Sequence, residues 1–170
     1  MVWVTLGLGS NVDAESNLQT CLDALLLQFR DMKLSSVFES AAEQPGHGTY
    51  LNMAVGFDTA LPLAELQALL KQMEAKQGRT PEAKAAGKVS LDIDILTYGT
   101  QQGSFAGVTL PRPQVLTAAH VLWPLSQVAA QLRHPCGETY AKLWQGFAGD
   151  CSSIRPVDFS WHGRRLSAAR

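Results

Sequence analysis

Val89-Ser90-Leu91-Asp92-Ile93-Asp94-Ile95-Leu96 alternates apolar Leu91, Ile93 and Ile95 with polar Ser90, Asp92 and Asp94. A period of two predicts a β-strand with one buried and one polar face. Side chains two apart on a strand share a face at about 6.5–7 Å, so Asp92 and Asp94 are expected side by side. Their mutual repulsion is roughly 0.6 kcal/mol in bulk water and several-fold larger in a cleft. A hard divalent cation relieves it, which makes the pair a candidate Mg²⁺ platform on a rigid element. The competing reading is a strand whose polar face is simply wet, because a lone Asp-x-Asp carries a false-positive risk.

The flanking sequence predicts what the strand packs against. Val2 to Leu8 reads as a first strand, closed by the turn Gly7-Leu8-Gly9-Ser10-Asn11. Leu18, Leu22, Leu25, Leu26 and Phe29 recur at helical steps, with Cys21 beside them. Met32 to Ser40 looks extended, Ala41 to Thr49 is a loop marked by Pro45-Gly46-His47-Gly48, and Tyr50 to Thr59 reads as another strand. Pro62 opens a second helix with Leu63, Leu66, Leu69, Leu70 and Met73 on its apolar face, and Gly78 stops it. Arg79 to Lys88 lacks periodicity and reads as a mobile loop. Beyond the aspartates, Val108 to Leu116 is expected to be irregular, Ala118 to Gln131 helical in pieces broken at Pro124, and Thr139 to Phe147 a short helix. Val157, Phe159 and Trp161 alternate like a late edge strand. Strand, helix, strands, helix, strand is the order of an α+β sandwich. A mostly antiparallel sheet of ferredoxin-like topology would carry helices on one face and leave the other for a site.

A chain of 170 residues with 46% apolar and 17% charged residues is expected to form one domain, 1–170, with a C-terminal tail at 148–170. That tail sets Arg155, Arg164, Arg165 and Arg170 around Val157, Phe159 and Trp161, and packing on the sheet edge is its plainest use. The net charge of −1, without a basic run, argues against nucleic acid or a membrane surface as main partner. The N-terminus lacks the basic start of a signal peptide, and no apolar run reaches a membrane span. Three widely spaced cysteines (Cys21, Cys136, Cys151) suit free thiols in a reducing cytoplasm. A monomer is expected.

Other motifs are individually weak. The glycine turn after the first strand has Val12 at the last glycine position of a dinucleotide fingerprint, and no Gly-Lys-Ser/Thr follows, so a tight turn explains it. Tyr50 and Asn52 share a strand face, and Asn offers a donor and an acceptor suited to the amide-like edge of a heterocycle. Glu74 lies beside the apolar stripe of the second helix. Arg79, Lys84 and Lys88 are the cations of the loop before the aspartates, able to meet phosphates or merely solvate it. His47, His120, His134 and His162 show no metal-ligand spacing, and covalent catalysis has no motif here.

In order and spacing, Leu8-Gly9-Ser10-Asn11, Tyr50-Leu51-Asn52, Gly78-Arg79, Leu91-Asp92-Ile93-Asp94-Ile95-Leu96 and Leu122-Trp123-Pro124-Leu125 resemble the 6-hydroxymethyl-7,8-dihydropterin pyrophosphokinase family of folate biosynthesis. Leu110-Pro111-Arg112-Pro113 echoes that family's Leu-Pro-His-Pro. The resemblance runs from about Val2 to Pro135. It implies a ferredoxin-like fold and transfer of pyrophosphate from ATP to the hydroxymethyl group of a reduced pterin, releasing AMP. It further implies that Asp92 and Asp94 hold two Mg²⁺ ions, that Asn52, Tyr50 and His120 form the pterin pocket, and that Glu74, Arg79, Lys84, Lys88 and Arg112 contact ATP, with Arg79 joining the aspartates in catalysis.

The departures concentrate in one loop. Pro81 and Val89 stand where the family has arginines, and Ala86 where it has a Trp that closes over the pterin. His120 replaces a stacking Phe, Ala118 an Arg and Arg112 a His, and the loop Ala41 to Thr49 is shorter and lacks a Thr-x-Pro pattern. Removing one preorganised charge stabiliser costs about 2.7–4 kcal/mol in the transition state. Two alternatives therefore stand beside the parent reaction: a family member with another alcohol substrate, and a non-catalytic nucleotide- or pterin-binding paralogue.

Overall fold

The structure, a computed structural model, describes residues 1–42 and 44–170; Glu43, within the expected loop Ala41 to Thr49, lies outside them. The chain begins with β1 (Val2–Ser10), α1 (Ala14–Gln28), β2 (Lys33–Leu34), β3 (Phe38–Ala41), β4 (Thr49–Thr59) and α2 (Leu63–Lys76). It continues with α3 (Pro81–Ala85), β5 (Asp92–Tyr98) and a small hairpin of β6 (Gly103–Phe105) and β7 (Val108–Leu110). After a 3₁₀ turn at Pro113–Val115 come α4 (Ala119–Val128), α5 (Tyr140–Gln145), β8 (Arg155–Pro156), β9 (Phe159–Trp161) and β10 (Arg164–Ser167).

The main sheet has the order β5-β1-β4-β3-β8, with β2 also paired to β4 and every pairing antiparallel. Within it, β1-α1-β3-β4-α2-β5 is the ferredoxin-like succession. Apolar stripes dictate which face each helix covers. Leu18, Cys21, Leu22 and Leu25 of α1, and Leu66, Leu70 and Met73 of α2, are buried against Val4, Leu6, Leu8, Val55 and Ile95 from the sheet. Phe29 stacks on Phe57 at 3.9 Å in the same core.

The opposite face is only half free. There the 3₁₀ turn, α4 and α5 build a second core from Val115, Leu122, Leu125 and Tyr140 against Leu96. Phe38 of β3 meets Trp123 at 4.5 Å, and Trp123 stacks on Trp144 at 4.9 Å. This cover reaches Gly56, where an added Cβ would lie 2.5 Å from Trp3 and 2.6 Å from Val128. The other end of that face, around Gly7, Gly9, Asn52, Asp92 and Asp94, stays open.

Three expectations need correction. Pro124 does not break the helix; it lies inside a continuous α4. Burial of Leu122, Leu125 and Val128 outweighs the proline's local cost. The stretch from Arg79 to Lys88 is not a bare loop. It contains α3, whose N-terminus is capped by the Thr80 hydroxyl accepting from Ala83 N–H, with Pro81 in the first turn. The late strand does not extend the main sheet. β8 does, beside β3, whereas β9 and β10 form a separate hairpin. That hairpin rests on α1, where the Trp161 indole N–H donates to Asp23 Oδ1 at 2.8 Å and Gln19 reaches Ser160 O.

Candidate active site

Register assembles the site. On β5, Asp92 pairs with Gly9 of β1 and Asp94 with Gly7; across β1, Gly9 pairs with Asn52 and Gly7 with Ala54 of β4. The two carboxylates therefore share a face, as their spacing requires, and each side chain is 37% exposed. Two glycines make the floor between them and β4. A Cβ on Gly9 would lie 3.3 Å from Asn52 Oδ1, and one on Gly7 3.3 Å from Leu96. Any other residue there would raise that floor.

A cavity of about 320 Å³ stands on this floor. Asp92, Asp94, Arg79, Lys84, Arg112, Tyr50, Asn52 and His120 all line it, so eight of the ten residues singled out from sequence converge. Two do not line it. Lys88 is exposed, just past α3 in the chain. Glu74 is 3% exposed beneath the floor, and its Oε2 accepts from Arg79 Nη1 at 2.7 Å and from Ile93 N–H at 2.8 Å. So placed, Glu74 anchors Arg79 from outside the lining.

The charges interlock. Arg79 Nη1 donates to Glu74, to Asp92 Oδ1 at 2.5 Å and to Leu91 O at 3.3 Å. Burial alone would depress its pKa, but the carboxylates of Asp92 and Glu74 outweigh that and hold the guanidinium charged. Arg112 lies 3.5 Å from Asp94 Oδ1 and donates to Ile95 O. Burial and the neighbouring charge of Asp92 still push Asp94 up to about 7, with Arg112 opposing. Burial likewise raises Glu74, against the Ile93 N–H and Arg79. Tyr50 is raised by burial and by Asp92.

The rest of the lining fixes orientation. Asn52, buried, donates its amide to Ser40 Oγ at 2.7 Å, which leaves its Oδ1 over Gly9. Tyr50 OH meets His47 Nδ1 at 3.2 Å. Ser40, Gln44, His47, Gln114 and Val121 also line the cavity and were not singled out in the sequence. Ser40 joins Asn52 only through the pairing of β3 with β4, which no local pattern reveals. Asn11, read as part of a turn, ties together the loops beside the cavity.

Among the described residues, no group of three or more His, Cys, Asp or Glu is placed to hold a metal ion. Two carboxylates with a surplus of negative charge, visible in the raised Asp94, nonetheless suit Mg²⁺. That ion uses one or two carboxylates and draws its other ligands from water and phosphates.

A family model described as 7,8-dihydro-6-hydroxymethylpterin-pyrophosphokinase (HPPK) matches residues 5–130. The 2-amino-4-hydroxy-6-hydroxymethyldihydropteridine pyrophosphokinase of Synechocystis sp. is 33% identical over 156 residues, covering 89% of this chain and 78% of the relative. That of Bacillus subtilis is 33% identical over 132 residues, covering 75% and 78%. Among solved structures, an HPPK-DHPS chain in complex with substrates superposes with TM-score 0.74 at 10% identity, over 99% of this chain and 48% of that one. Plasmodium falciparum HPPK-DHPS gives 0.70 at 11%, over 98% and 46%. At such identities the likeness is one of fold, and this chain spans about half the length of those two.

Proposed function

Because this chain belongs to the 7,8-dihydro-6-hydroxymethylpterin-pyrophosphokinase family, we infer that its cavity carries that family's reaction. Pyrophosphate passes from ATP to the hydroxymethyl group of 6-hydroxymethyl-7,8-dihydropterin, in folate biosynthesis. The observation that carries the reading is the convergence of Asp92 and Asp94 with Arg79, Lys84, Arg112, Tyr50 and Asn52 around one glycine floor.

Asp92 and Asp94 are the residues that would hold Mg²⁺, which when bound supplies neutralisation of the triphosphate and acidifies a coordinated hydroxyl. The chain's own share is positioning and charge. Asn52 presents an oriented acceptor to the amino and ring N–H edge of a pterin. Tyr50 and His120 give that ring flat neighbours. Arg79, Lys84 and Arg112 bring three cationic groups to a ligand of about four negative charges, lowering the barrier by electrostatics and alignment rather than covalent chemistry. Lys84 is a point charge where a guanidinium fork would grip two oxygens, so its hold on a phosphate is less directional. We further propose a monomer working in a reducing, cytoplasmic setting, in keeping with three unpaired thiols.

A second reading, another hydroxymethyl or alcohol substrate, is favoured by one observation. Ala86 is exposed, and no aromatic side chain from residues 79–89 lines the cavity. One assay separates the two. AMP release is followed with ATP and Mg²⁺, with and without 6-hydroxymethyl-7,8-dihydropterin. Release only when both pterin and Mg²⁺ are present is expected. Mg²⁺-dependent nucleotide binding without pterin-stimulated AMP would favour the second reading, and AMP release undiminished by a chelator would remove the metal from the scheme.

A further inference from the structure

Asn11 follows β1 directly, just beyond the glycine floor, and engages its backbone N–H and both ends of its side-chain amide. Its side-chain amide donates to His47 O at 2.7 Å and to Gly87 O at 2.8 Å, and its Oδ1 accepts from Val89 N–H at 2.6 Å. Its own backbone N–H donates to Val89 O at 2.9 Å. His47 belongs to the segment between β3 and β4, and Gly87 and Val89 to the segment between α3 and β5. Both segments wall the cavity: Gln44, His47 and Tyr50 line it from or beside the first, Arg79, Lys84 and Val89 from or beside the second. The walls also approach each other by backbone. A Cβ on Gly87, whose φ is +76°, would lie 2.9 Å from Gly46 O.

We propose that Asn11 is a positioning residue that fastens the two walls into one unit, so that the segments 44–48 and 84–89 open and close together. Only an asparagine at this place supplies two donors and an acceptor at short reach; aspartate lacks the donors and serine supplies one donor where two are used. Each wall reaches a different part of the cavity. The His47 ring touches Tyr50, while the α3 side carries Arg79 and Lys84 next to Asp92. Ordering one wall around a ligand therefore orders the other before its own ligand arrives, which couples the two sites without any contact between the ligands.

Hydrogen–deuterium exchange of wild type and Asn11→Ala tests the joint directly. Peptides covering 44–50 and 83–90 should both exchange at least about tenfold faster in the variant, while β1, β4 and β5 keep their protection. Loosening of one wall only, or of neither, overturns the proposal. Gly87→Ala is the second variant. It wedges the walls apart at Gly46 while keeping the Asn11 side chain, and should loosen both segments even if Asn11→Ala fails to fold. The kinetic arm rests on the reaction proposed above. Asn11→Ala should raise KM for ATP and for the pterin together by about fivefold or more, the lower range of ordinary coupling. A merely structural role would lower kcat through a smaller active fraction and leave both KM values in place. Joint loosening in a protein that makes no AMP would sink the reaction and keep the joint; AMP formation with independent walls would do the reverse.

Discussion

Asp94 carries the clearest residue-scale consequence. Its folded pKa is about 7 against an ordinary 3.8, so between those values the native protein binds more protons than the unfolded chain. Stability of the metal-free protein should therefore fall as pH rises from about 4 to about 7, then level off. With the side chain a third exposed, solvent screening leaves about 1–2 kcal/mol of the effect. Urea denaturation in chelator should show this slope in wild type and lose it in Asp94→Asn, which should be the more stable of the two at pH 8. A wild-type profile flat over that window would contradict the strained pair. Arg79 has the opposite sign. Removing it leaves Glu74 buried without its strong partner, so Arg79→Ala should cost about 3 kcal/mol of stability as well as nucleotide affinity. An unchanged urea midpoint would show that Glu74 finds another partner. Cys21, buried in the α1 core with its thiol pushed up to about 12, should ignore thiol reagents that label the exposed Cys136 and Cys151. Two thiols titrated in the folded state and three in denaturant are expected; three in the folded state would mean an opened core.

At the scale of elements, the antiparallel register does the assembling, and two glycines test it from opposite ends of one face. Gly56→Ala drives a methyl into Trp3 and Val128, so α4 must shift, at a cost of about 1–3 kcal/mol. Gly9→Ala meets Asn52 Oδ1 at 3.3 Å beside an open cavity. It should spare the thermal midpoint while weakening pterin binding. Equal losses of stability for the two would mean that the floor is not open as described. The elements with a strong apolar period were legible from sequence: β1, α1, β4, α2 and β5 fall where alternation or helical spacing puts them. So was the face shared by Asp92 and Asp94, because period two is a property of the strand itself. What escaped was set by contacts distant in sequence. The continuity of α4 through Pro124 depends on packing against the sheet, and the place of Ser40 depends on the pairing of β3 with β4. The burial of Glu74 follows from α2 lying under β5, where Ile93 N–H claims its carboxylate. The hub at Asn11 left no local trace either, because its partners lie 36, 76 and 78 residues away.

The whole molecule divides its labour between the two faces of one sheet. The α1–α2 face supplies the larger apolar core, and the glycine floor on the other face carries little packing, so binding chemistry there varies at small cost to the fold. The loop departures fit this division, since Pro81, Ala86 and Val89 alter the walls while Asp92 and Asp94 remain on the rigid strand. A cation gathered by that carboxylate pair is the claim on which the rest depends. Calorimetric titration of Mg²⁺ with a non-hydrolysable ATP analogue, comparing wild type with Asp92→Ala/Asp94→Ala, measures it most directly. Expected is saturable Mg²⁺-dependent nucleotide binding in wild type and its loss, by at least about a hundredfold, in a variant whose circular dichroism is unchanged. Equal Mg²⁺-dependent affinity in the two proteins would contradict it.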